Sequence, residues 1–130
     1  MQPQRRRTKY SQAVHDIIIE LGHATNAEIA KKLRDKYDEV SDTTVHRITR
    51  RLLLDEFISL APSGPDGAHR FDANTSSHDH FECAHCHGLR DMIVPSKIRA
   101  ELSKELDGCA LSGRLLVTGN CHECIIKGGK

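Results

Sequence analysis

The sequence predicts an α+β chain, in which an N-terminal winged helix-turn-helix precedes a C-terminal α/β half built around a four-cysteine zinc site. Three observations predict it. Apolar residues recur at helical spacing in three successive segments, and two short extended runs then flank a loop rich in proline and glycine. Finally, Cys83 with Cys86 and Cys121 with Cys124 form two C-x-x-C pairs in the last third of the chain.

The first helix is expected from Ser11 to Leu21, where Val14, Ile17, Ile18 and Leu21 share a face and Gly22 ends the run. His23 then falls in a loop. Thr25 or Asn26 caps a second helix with Ile29, Ala30 and Leu33 inward. Ser41 or Asp42 caps a third. There Val45, Ile48 and Leu52 point inward, leaving Thr43, Thr44, His46, Arg47, Arg50 and Arg51 on the remaining surface. Phe57 to Ala61 and His69 to Asp72 read as strands around the loop at 62–67. Three helices and a hairpin are the order of a winged helix, whose third helix enters the major groove.

The expected divisions are a DNA-binding domain at 1–73, a hinge at 74–77, and a metal-binding domain at 78–130. In the latter, His78 to Cys83 and Leu89 to Val94 read as strands joined by a knuckle at Cys83 to Gly88. Pro95 or Ser96 starts a helix with Ile98, Leu102 and Leu106 on one stripe and Gly108 as its stop. Leu111, Leu115, Leu116 and Val117 form the last strand. Cys109 reads as a small buried hydrophobe.

Net charge is +1, so the total names no partner, and basic residues matter only where they cluster. They do so at Arg5, Arg6, Arg7 and Lys9 and again at Arg47, Arg50 and Arg51. An arginine face on a helix is often merely solvated. Here it follows a helical pair and precedes a wing, while Arg7 and Lys9 lie upstream for phosphate contact, which favours double-stranded DNA. No long apolar run and no leader-like start is visible, so a cytoplasmic protein is expected. Reduced thiols in that compartment favour zinc over disulfides at Cys83, Cys86, Cys121 and Cys124. A closed four-sulfur shell leaves no position for catalysis, and no catalytic residue is assigned.

His78 and His80 leave the same face of a strand and can bind one ion, flanked by Asp72 and Asp91. Two imidazoles with two carboxylates suit Fe²⁺ or Mn²⁺ as well as Zn²⁺. His15 reads as a surface or half-buried residue. His85, His87 and His122 lie beside the knuckles, where four cysteines already fill the shell.

Several segments together resemble the ferric uptake regulator (Fur) family. These are Gly22 to Ile29, the run S-D-T-T-V-H-R from Ser41 to Arg47, Arg70-Phe71-Asp72, the run from His78 to Cys86, and Gly119 to Cys124. The resemblance implies a winged helix hinged to an α/β dimerisation domain, hence a homodimer, with structural zinc on the four cysteines. It also implies a regulatory ion held by His23, Asp72, His78, His80 and Asp91, and so gives His23 a role that spacing does not. Aspartate at both 72 and 91 resembles the peroxide-responsive subtype (PerR), where iron-sensing members usually carry glutamate. The subtype implies a repressor in which bound Fe²⁺ and hydrogen peroxide add oxygen to His23 or His78, while Mn²⁺ fills the site without that chemistry. His46 stands where the family usually has tyrosine, and His87 adds a residue before Gly88. Two other readings are a sensor of Fe, Mn or Zn concentration without peroxide chemistry, and a C-x-x-C dithiol redox enzyme. The second lacks the βαβ setting such a dithiol needs.

Overall fold

A computed structural model describes residues 9–128. The chain divides into two compact units, Met1–Thr75 and Ser76–Lys130.

In the first unit, α1 (Lys9–Leu21) buries Val14, Ile17 and Ile18 at i, i+3 and i+4. Gly22 ends it at φ +80°, a left-handed conformation that costs a glycine little, and donates its N–H to the Ile18 carbonyl at 2.9 Å. β1 (His23–Thr25) follows, and α2 (Asn26–Arg34) starts from a reciprocal cap. The Thr25 hydroxyl accepts the Glu28 N–H, and the Glu28 carboxylate accepts the Thr25 N–H. α3 (Asp42–Leu54) is capped by Ser41, whose hydroxyl accepts the Thr44 N–H at 3.2 Å. β2 (Ser59–Ala61) and β3 (Arg70–Asp72) form the wing, and β3 lies between β1 and β2 in an antiparallel sheet. The buried Arg70 guanidinium ties the wing loop down, donating to the carbonyls of Pro62 and Ser63.

Two expectations are corrected here. His23 is in a strand rather than a loop, because a helix cap needs extended backbone and His23 to Thr25 already supply it, pairing with Asp72 to Arg70. On α3, Thr49 is buried while Ile48 is only partly so. The hydroxyl makes this possible by bonding Asn26 Oδ1 at 2.8 Å.

In the second unit, β4 (Asp79–Cys83) lies between antiparallel β5 (Leu89–Met92) and parallel β6 (Leu116–Gly119). Between them runs α4 (Ser96–Glu105), and α5 (His122–Ile126) closes the described chain. Asp79 pins the sheet. Its carboxylate accepts the N–H groups of Leu115 and Val94, both at 2.8 Å, and pairs with Arg99 at 2.6 Å. Those backbone donors, ahead of the Arg99 charge, hold its carboxyl below the usual range.

The last strand starts at Leu116, not Leu111, and α5 was not anticipated. Cys109 is exposed rather than buried. It follows α4, whose stripe of Ile98, Leu102 and Leu106 is itself exposed, so the segment has no core of its own unit to enter.

Candidate functional site

Cys83 ends β4, Cys86 lies one turn further on, and Cys121 and Cys124 sit at the start of α5. The turn closes through bonds from the His87 N–H to the Cys83 carbonyl and from the Cys83 N–H to the Gly88 carbonyl. His87 absorbs its extra length by adopting φ +64°. The four sulfurs all lie within 4.8 Å of one another, with Cys83 to Cys124 at 3.7 Å and Cys86 to Cys121 at 3.9 Å. A tetrahedral zinc–thiolate centre with bonds of about 2.3 Å has sulfur–sulfur edges of about 3.8 Å. The thiols are free, so the spacing is that of a cage rather than of disulfides.

The electrostatics agree. N–H groups of Cys86 and Cys121 point at the Cys83 sulfur and pull its thiol down to about 5. Cys124, hydrogen-bonded to Cys121, buried, and beside Cys83, is pushed up to about 12. A soft divalent cation removes this conflict by favouring all four thiolates, and the cage fits a structural zinc.

Each unit also carries histidine beside aspartate. On β1 and β3, His23 and Asp72 are cross-strand partners, with His23 Nε2 3.2 Å from Asp72 Oδ2. The other Asp72 oxygen accepts the Asn74 N–H at 2.8 Å, which fixes the carboxylate's direction. On the second unit, His80 and Asp91 are cross-strand partners on β4 and β5. Asp91 Oδ1 is 3.2 Å from His78 Nε2 and 3.4 Å from His80 Nε2.

Ser76 supplies the orienting partner for His78. Its carbonyl lies 2.7 Å from His78 Nδ1 and can only accept, so that nitrogen carries a proton. In the neutral ring, Nε2 then turns a lone pair toward Asp91, an arrangement that suits a cation between them. The donors are nitrogen and carboxylate oxygen without sulfur, and they fit Fe²⁺ or Mn²⁺. Asp79 points away from the two histidines, as strand alternation requires, and sequence reasoning missed it, Asn74 and Ser76. Only the D-x-N and H-D-H spacings hinted at them.

The third helix sorts its polar residues. Thr43, His46, Arg47 and Arg50 are exposed and line one groove with Asn26, Leu60 and His69. Thr44 and Arg51 are half-buried on the adjoining stripe, against Ser41 and Asp55. Lys9 lies over the rings of Tyr10 and Tyr37. Arg7 lies outside the described residues. No described helix is long and apolar enough to cross a membrane.

A winged helix, a four-thiolate cage and histidine–aspartate pairs together define a metal-responsive regulator. The chain belongs to the ferric uptake regulator family, whose model matches residues 4–111. It is similar to the transcriptional regulator PerR of Clostridium acetobutylicum, 33% identical over 61 residues, a match spanning 45% of this chain and 44% of that protein. It is also similar to the peroxide-responsive repressor PerR of Staphylococcus epidermidis, 30% identical over 104 residues, covering 78% of this chain and 69% of that one. Among solved structures, the Helicobacter pylori ferric uptake regulator Fur superposes with a TM-score of 0.71 at 25% identity, covering 92% of this chain and 82% of that one. That regulator has three functional metal binding sites.

Proposed function

We propose that the chain is a metal-dependent DNA-binding repressor that senses hydrogen peroxide, acting as a homodimer on double-stranded operator DNA. His23, Asp72, His78, His80 and Asp91 share one regulatory Fe²⁺ or Mn²⁺ in this reading, and His23 and His78 are the residues oxidised. The observation that carries it is that both carboxylates are aspartates and each stands 3.2 Å from one of those two histidines. The similarity to two peroxide-type regulators supports it.

An ion ligated from both units stabilises only the form in which its ligands meet. Turning a 1:99 population into 99:1 takes a roughly 10⁴-fold preference for that form, a range open to multidentate ligation of a divalent ion. Bound Fe²⁺ supplies, with hydrogen peroxide, the chemistry that places oxygen on an imidazole. The chain's residues set which imidazole is exposed to it. Ser76 holds His78 with Nε2 toward Asp91, and Asn74 holds Asp72 toward His23. Oxidising either ring removes a ligand, and the DNA-competent form loses its support.

Thr43, His46, Arg47 and Arg50 form the proposed reading face. Thr44 and Arg51 flank it, and Arg7 and Lys9 are assigned to phosphate. The exposed stripe of Ile98, Leu102 and Leu106 is assigned to the second copy. A plain sensor of metal concentration is the second reading, favoured by a donor set that accepts Mn²⁺ and Zn²⁺ as well. Peptide mass spectrometry after peroxide treatment separates the two. Oxygen on His23 or His78 in iron-loaded but not manganese-loaded protein is expected; unmodified histidines in verified iron-loaded protein leave the concentration sensor.

A further inference from the structure

We propose that His46 is a base-reading residue that donates a hydrogen bond from Nε2 to a guanine edge in the major groove, with Asn26 and Thr49 holding it in that state. The inference rests on the DNA-binding reading above. His46 is exposed on the same stripe of α3 as Thr43, Arg47 and Arg50, facing the groove they line.

Beside His46, along the same groove, stands an oriented pair. Thr49 is 1% exposed, and its hydroxyl lies 2.8 Å from Asn26 Oδ1, an atom that can only accept. The His46 carbonyl lies 3.1 Å from the same hydroxyl and shares its one proton with Asn26 Oδ1, the nearer acceptor. With Oδ1 engaged, the Asn26 amide turns Nδ2 toward His46 Nδ1 at 3.4 Å. An amide nitrogen offers only protons, so Nδ1 accepts and the single proton of the neutral ring resides on Nε2. A protonated ring keeps a proton there too. Nε2 is therefore a donor in either state.

A donor in the major groove meets acceptors on guanine (N7 and O6), adenine (N7) and thymine (O4), and meets only an amino group on cytosine. Guanine presents two adjacent acceptors with no neighbouring donor. The expected ranking at this position thus has guanine first and cytosine last. Asn26 is a positioning residue, since it acts through the ring.

The test is selection from random double-stranded DNA by Mn²⁺-loaded full-length protein, using wild type, His46→Tyr and Asn26→Ala. Wild type is expected to enrich one guanine per half-site that His46→Tyr does not, while the remaining positions persist in both. Replacing that guanine by 7-deazaguanine should weaken wild-type binding by roughly 2- to 12-fold, the worth of one hydrogen bond, and leave His46→Tyr unaffected. Asn26→Ala should loosen preference at that base alone, which a general loss of folding would not do. Identical base preferences in wild type and His46→Tyr would overturn the inference. Enrichment of cytosine there would overturn it too, since the ring would then be accepting. If wild type enriches no sequence, the DNA-binding reading itself fails, and this inference with it.

Discussion

In Met1–Thr75, buried aliphatic residues from α1, α2 and α3 meet Ala24 and Phe71 in a single cluster. In Ser76–Lys130, the corresponding cluster among the described residues is Cys83, Cys121 and Cys124 with Phe81 packed against it. Ile98, Leu102, Leu106, Leu116 and Val117 of that unit stay on the surface. Fully burying one aliphatic side chain contributes about 1.5–3 kcal/mol, so burial stabilises the first unit far more than the second. Its thiolates occupy the place of a core, and metal binding supplies what burial cannot.

The contrast is open to attack from both sides. Cys121→Ser should have the largest effect, because a structural zinc site carries an apparent binding energy of about 10–16 kcal/mol in small zinc modules. Hydrogen exchange should show protection lost across β4 to β6 while α1 to α3 stay protected. A mutant that keeps its zinc and its protection would remove the metal from its structural role. Leu33→Ala attacks the other side. It should cost the first unit about 2–5 kcal/mol in denaturant unfolding and leave zinc content unchanged.

Asp79→Asn sharpens the picture within the second unit. It takes away a charge that accepts two backbone N–H groups and pairs with Arg99, so a loss of about 1.5–3 kcal/mol in that unit is expected, with zinc retained. Smallest is Thr25→Ala. Loss of the reciprocal cap on α2 should cost about 1 kcal/mol, read as a lower unfolding midpoint of the first unit alone.

The same contrast explains what the sequence could tell. The helices of the first unit were legible because each buries a periodic stripe, and periodicity survives in a single sequence. His23 was misplaced because a three-residue strand has no period to read; its pairing with Asp72 is set 49 positions away. Legibility falls in the second unit. The cysteine spacing exposed the cage, but α4's apolar stripe and Cys109 stay exposed in their own unit, so burial could not be inferred from pattern. Asp79, Asn74 and Ser76 stayed hidden because they act through backbone groups that leave no compositional trace.

In the proposed function, two sets of ligands do separate work: four thiolates hold a unit together, and histidine with aspartate controls DNA binding. Operator binding of zinc-loaded His80→Ala, titrated with Mn²⁺ beside wild type, tests it most directly. The variant is expected to keep its thiolate-bound zinc and its fold while losing Mn²⁺-dependent binding. A variant that responds to Mn²⁺ like wild type, or that sheds its zinc along with the response, would contradict the separation.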